Sequence, residues 1–120
     1  MIKSINLGLA ILYSILLLYL SFANLDQIPK VEVNQIDKFY HLVAYFILAV
    51  LWLFYFRNQK QSIFYNCVIT LIVLGCLIEF LQNRINPSRA FEYADMISNV
   101  FGIILGTITV KLWIKVKSTA

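Results

Sequence analysis

Three carboxylic acids, one imidazole and two carboxamides recur in this sequence at helical spacing, beside cationic side chains that could steer a charged ligand. Asp37, Lys38 and His41 fall within one turn and a residue; Glu79 and Gln82 are three apart; Asp95 and Asn99 are four apart. Residues three or four apart share a helix face, and a helix rises 1.5 Å per residue, so His41 lies about 6 Å along its axis from Asp37 and Asn99 as far from Asp95. A histidine among carboxylates is the set needed for proton transfer. Lys38, Arg84 and Arg89 at the rim supply cations of the kind that hold a phosphate. The expected catalytic set is therefore His41 as general base or nucleophile, with Glu79 or Asp95 as its orienting or acid partner. Asp37, Lys38, Gln82, Arg84, Arg89 and Asn99 are the expected ligand-binding residues.

Other chemistries fit less well. Asp37, His41, Glu79 and Asp95 could in principle bind a metal, but no HExxH or paired-cysteine motif accompanies them, so no metal and no cofactor is expected. Cys67 and Cys76 are nine residues apart in one apolar run, on opposite sides of a helix, and read as packing thiols. A structural role is also open. Arg89 could pair with Glu79 or Asp95, Lys38 could neutralise another acid, and His41 could hydrogen-bond to Asn99, fixing helix register at a desolvation cost. The residues alone leave open whether the site is catalytic.

The elements that must position these side chains are apolar. The 120-residue chain is 61% hydrophobic and 13% charged, with a mean hydropathy of +0.79, more apolar surface than so small a soluble domain can bury. Residues 4–25, 39–56, 61–78 and 96–110 contain no Asp, Glu, Lys or Arg. About 20 residues of helix cross a hydrocarbon core of roughly 30 Å. The expected fold is all-α, a polytopic membrane protein forming one domain, a compact bundle of four transmembrane helices at 5–23, 38–56, 62–81 and 94–114 with short loops.

The first run ends in Ser21-Phe22-Ala23, which resembles a signal-peptidase site, although the spans that follow favour an uncleaved membrane helix. Asn34 and Ser62 are candidate N-caps, Pro29 and Pro87 break the chain into loops, and Ser88 could cap the fourth helix. Gly75 admits a close neighbour in the third helix, and Gly102-xxx-Gly106 offers the same on the fourth.

The formal charge of +4 could suggest nucleic acid, but the cations are spread over helix ends and form no groove interleaved with aromatics. With the amino terminus inside, Lys3, Arg57, Lys60, Lys111, Lys115 and Lys117 are cytoplasmic, and Lys30, Lys38, Arg84 and Arg89 lie outside with Asp26, Glu32, Asp37 and Glu92. That bias places both termini in the cytoplasm and the polar cleft at the outer face.

The motifs Asp37–Ala49 (DKFYHLVAYFILA), Gly75–Gln82 (GCLIEFLQ), Ser88–Asn99 (SRAFEYADMISN), and the following Gly102 and Gly106 resemble the VanZ-like membrane protein family. Asp37, Lys38, His41, Glu79, Gln82, Arg89, Asp95 and Asn99 match its characteristic polar positions. The resemblance implies a bacterial protein of the cell envelope, in the cytoplasmic membrane, with a link to tolerance of the glycopeptide teicoplanin through a named relative. The expected function is binding of an anionic lipid or lipid-linked headgroup, such as a phosphate-bearing lipid or cell-wall lipid intermediate. The alternatives are phosphoryl transfer or hydrolysis on such a headgroup, and a purely structural polar cluster. Membrane lipids are the expected partners, with no nucleic acid, and the oligomeric state is open.

Overall fold

The computed structural model describes residues 2–23, 34–85 and 93–119. Four helices follow in chain order: α1 (Ile2–Phe22), α2 (Asn34–Tyr55), α3 (Gln61–Ile85) and α4 (Tyr93–Thr119). Each is long and apolar enough to cross a membrane, and the protein is an all-α polytopic membrane bundle. Pro29, Pro87, Ser88 and Arg89 lie outside the described residues, as does the Asn34 side chain.

All four helices begin before the spans expected for them, and α3 and α4 also run past their expected ends. No Pro or Gly follows Gly75 before Ile85, so nothing stops α3 at residue 81. Likewise α4 continues through Lys115-Val116-Lys117, whose long side chains reach water while the backbone stays helical. The start of α3 also differs from the expected Ser62 cap. The Lys60 carbonyl accepts from the amides of Ile63 (3.0 Å) and Phe64 (3.1 Å), so Ser62 lies inside the first turn.

The helices alternate in direction. Lys3 sits over the Tyr55 ring, Arg57 over Trp113, and Lys111 over Tyr65, which gathers the start of α1, the α2–α3 turn and the end of α4 at one end. The polar residues of the sequence motifs gather at the other.

At the centre of the bundle α4 lies directly on the α2 backbone. A methyl group on Gly102 would overlap the Leu42 carbonyl oxygen, and one on Gly106 would stand 2.8 Å from Ala49 Cβ and 3.0 Å from the Phe46 carbonyl oxygen. Water cannot drive helices together inside a bilayer, so close packing and interhelical hydrogen bonds must do so. Tyr45, Leu48, Ala49, Leu53, Ile103 and Val110 close around this seam as the buried core. Gly75 leaves room on α3 for the Tyr45 ring, 3.1 Å from where its Cβ would be.

α1 is attached differently. Only Ala10 and Ser21 are buried on it, and Ile5, Leu9, Leu12, Ile15, Leu16 and Tyr19 face outward. Hydrogen bonds hold it: Tyr13 donates to the Ala44 carbonyl at 2.6 Å and Trp52 Nε1 to Ser14 Oγ at 2.9 Å. The outward hydroxyls of Thr70, Ser98 and Thr109 bond carbonyls one turn back, which satisfies them without water.

The glycine seam makes a sharp prediction. Gly102→Leu meets backbone, which no rotamer change relieves, and is expected to cost about 1–3 kcal/mol or more. Thermal unfolding in detergent followed by circular dichroism checks it. Gly8→Leu serves as control, because nothing lies within 4 Å of a Cβ at Gly8, and its midpoint should match the parent.

Candidate functional site

The seam carries the polar residues with it. Asn99 stands two turns from Gly106 and one from Gly102 on the α4 face pressed to α2, and it is fully buried. Its side chain ties three helices together. His41 Nδ1 on α2 is 3.0 Å from Asn99 Oδ1, while Asn99 Nδ2 donates across to the Gly75 carbonyl on α3 at 3.4 Å. With the amide nitrogen spent on Gly75, the amide oxygen faces the ring, and His41 Nδ1–H is the donor. The pairing of His41 with Asn99 was among the contacts legible from helical spacing.

In a neutral ring that bond leaves Nε2 as the acceptor. It lies 3.8 Å from Asp37 Oδ1 and 3.8 Å from Asp95 Oδ2, while Nδ1 lies 3.9 Å from Glu79 Oε2. These separations are too long for direct hydrogen bonds and short enough for strong electrostatic coupling. A group that takes a proton at Nε2 becomes a cation facing three carboxylates.

Lys38 supplies the permanent positive charge. Its ammonium is 2.7 Å from Asp95 Oδ1, charge-paired though off the direction a hydrogen bond requires, and 3.7 Å from Asp37 Oδ2. Asp95 is 6% exposed, while the Lys38 side chain keeps 23% of its surface open, so the lysine reaches a buried acid from a partly open position. The arrangement is layered. Asp37 has 58% of its side-chain surface open, His41 19%, and the two inner acids less than a tenth.

A cavity of about 280 Å³ meets the outer layer of the cluster. Asp37, His41 and Gln82 form its polar wall; Leu17 and Leu20 of α1 and Tyr40, Ala44 and Tyr45 of α2 form its apolar wall. Glu79, Asp95 and Asn99 do not line it; they stand behind His41, which therefore connects the cavity to the interior. Gln82 donates to the Ser21 carbonyl of α1 at 2.8 Å, closing the cavity against that helix.

The expected residues thus divide. Asp37, Lys38, His41, Glu79, Asp95 and Asn99 converge, Gln82 borders the same cavity from the α3 side, and Arg89 lies outside the described residues. Arg84 does not point in: it is exposed, with its guanidinium over the Phe80 ring of its own helix at 5.3 Å. Of the three rim cations expected to hold a phosphate, Lys38 is bound to Asp95, Arg84 is turned onto an aromatic face, and Arg89 lies outside the described residues. Sequence reasoning did not find the α1 contribution of Leu17, Leu20 and Ser21, since that helix carries no charge in the region to draw attention to it. Asp37, His41 and Asp95 each offer a ligand atom within 4.8 Å of the others, close enough to hold a cation, and the Lys38 ammonium already stands against that group.

No family model and no solved structure matches the chain. Among curated proteins it is 31% identical over 64 residues to a lipoprotein signal peptidase of Staphylococcus haemolyticus (strain JCSC1435). The matched stretch is 53% of this chain and 39% of that protein, so the chain spans well under two thirds of the relative's length.

Removing Lys38 leaves Asp95 buried without its cation. Lys38→Met is expected to destabilise the bundle by about 3–5 kcal/mol, the cost of breaking one side of a buried pair. Adding Asp95→Asn should recover most of that loss. Chemical unfolding in micelles measures both, and independent, additive losses would show that the two side chains are not coupled.

Proposed function

We propose that the protein binds the polar end of a membrane lipid or lipid-linked substrate in the cavity between α1, α2 and α3, and hydrolyses a bond there with His41 and Asp37. The observation that carries this reading is the placement of the His41 ring. Its Nδ1 is fixed by Asn99 in the interior, and its Nε2 lies 3.8 Å from Asp37 at the cavity wall and as far from Asp95 behind it.

The chemistry follows from those positions. A water between Nε2 and the Asp37 carboxylate has two acceptors at a separation that suits a bridge. Nε2 takes its proton while the oxygen attacks the acyl or phosphoryl centre. The bond to the leaving group then breaks, and the imidazolium returns the proton to the departing oxygen or nitrogen. Asp37, Asp95 and Glu79 stabilise the imidazolium in between, and Asn99 holds the ring so that Nε2 stays on the cavity side.

The apolar wall suits a substrate that arrives from the bilayer, since Leu17, Leu20 and Tyr40 can lie along an acyl chain while the headgroup meets Asp37 and Gln82. The partial likeness to a lipoprotein signal peptidase supports hydrolysis at a lipid-anchored substrate as the general class. The charge of the site bears on the headgroup. The site holds three acids against one lysine, which favours a neutral or zwitterionic group; an anionic one requires Arg89 as a further cation. In this reading the site faces outward, both termini are cytoplasmic, and the membrane is the bacterial inner membrane. A role in the envelope, including the glycopeptide tolerance associated with VanZ-like proteins, belongs to the same proposal.

Isotope labelling tests the reaction whatever the substrate. The purified protein, reconstituted with total lipid extract in ¹⁸O water, should yield a product carrying the label, detected by mass spectrometry. His41→Ala and Asp37→Asn should each reduce its formation by about 100-fold or more, the scale of general acid-base catalysis, with the melting midpoint retained. Undiminished labelling in His41→Ala would remove the histidine from the chemistry.

A further inference from the structure

The other end of the bundle carries a second cavity, about 550 Å³, between the α2–α3 turn and the last turns of α4. Arg57, Lys111 and Lys115 line it, with Gln59 beside them and Phe64 and Ile114 as its apolar floor. We propose that this basic cavity is a binding site for the headgroup of an anionic phospholipid, separate from the acid and histidine cluster.

The first argument is charge. All six acidic side chains of the chain lie at positions 26, 32, 37, 79, 92 and 95. None falls between residues 38 and 78 or beyond 95, so the segments that build this cavity contain no carboxylate side chain to neutralise its three cations. Lys111 and Lys115 are four apart on one helix face, a spacing at which like charges repel. An anion between them and Arg57 removes that repulsion.

The second argument is preorganisation. Arg57 is held before any ligand arrives: its Nη1 donates to the Phe54 carbonyl at 2.7 Å, and its guanidinium lies 4.2 Å from the Phe54 ring centroid and 5.7 Å from that of Trp113. Stacked in this way, the planar fork keeps further N–H donors for a phosphate oxygen, at little cost in side-chain freedom. The Lys111 ammonium is seated on the Tyr65 ring at 4.4 Å.

The third argument selects a lipid over a dissolved anion. Trp113 and Tyr65 place this end at the level where aromatic side chains meet headgroups. On α4, exposed Leu112 and Val116 alternate with the lysines and give acyl chains an apolar surface directly beside the cations. Basic pockets between transmembrane helices are the geometry that recognises anionic headgroups.

The test is lipid retention by native mass spectrometry, using the full chain extracted from vesicles of equimolar phosphatidylglycerol and phosphatidylcholine. The parent protein should retain phosphatidylglycerol at least about fivefold over phosphatidylcholine. Lys111→Gln with Lys115→Gln should bring that ratio close to one, and Lys111→Arg with Lys115→Arg should restore it. Lys60→Gln with Lys117→Gln removes the same charge from the same end outside the cavity and should leave the ratio within about twofold of the parent. No preference in the parent, an equal loss in the Lys60 and Lys117 variant, or persistence of the preference without Lys111 and Lys115 would each overturn the proposal. Displacement of the lipid by 10 mM inorganic phosphate would also overturn it, by showing an anion site with no requirement for acyl chains.

Discussion

The bundle depends on the contact between the α4 glycines and the α2 backbone. Gly102 and Gly106 remove side chains where the helices would otherwise be held apart, so the chain can approach Leu42, Phe46 and Ala49 at backbone distance. Everything polar follows from that approach. Asn99, one turn from Gly102, comes within hydrogen-bonding range of both His41 and the Gly75 carbonyl, and Asp95, one turn farther, meets the Lys38 ammonium. A larger residue in the seam would lengthen all of these distances together, which makes packing and chemistry parts of one arrangement.

Within the hydrocarbon region an unpaired acid is costly, and the cluster answers that cost by order of depth. The innermost acids, Glu79 and Asp95, face His41 and Lys38, while Asp37 stands at the opening. The histidine lies at the boundary, bonded inward and open outward. Its Nδ1 meets Asn99, and its Nε2 stands 3.8 Å from both the exposed Asp37 and the buried Asp95.

Much of this was legible in the amino-acid order because helices convert spacing directly into faces. The charge-free runs define the four spans, and the intervals from Asp95 to Asn99 to Gly102 to Gly106 define one stripe. His41 and Asn99 were recognisable as neighbours because each lies at matching depth on its own helix. What could not be read depended on side-chain direction at helix ends and on neighbours without charge. Arg84 has the reach to turn toward the acids or back onto Phe80, and its position in the last turn does not decide between them. The choice of Asp95 over Asp37 as the close partner of Lys38 depends on α4 being pressed to α2, an interhelical distance that no spacing encodes. The α1 wall of the cavity was invisible, since it is a helix of Leu and Ser whose composition marks it only as a membrane span.

The two ways of attaching helices have a mechanical consequence. A backbone-on-backbone seam has no rotamers to exchange, so α2 and α4 form a stiff beam whose shape is set by covalent geometry. α1 is joined to that beam by side-chain hydrogen bonds from Tyr13 and Trp52 and to α3 by one from Gln82, with few buried residues of its own, the signature of a locally less stable element. Stiffness is therefore graded across the molecule, and the cavity beside His41 has one rigid wall that carries the imidazole and the Asp37 carboxylate and one compliant wall that borders the lipid.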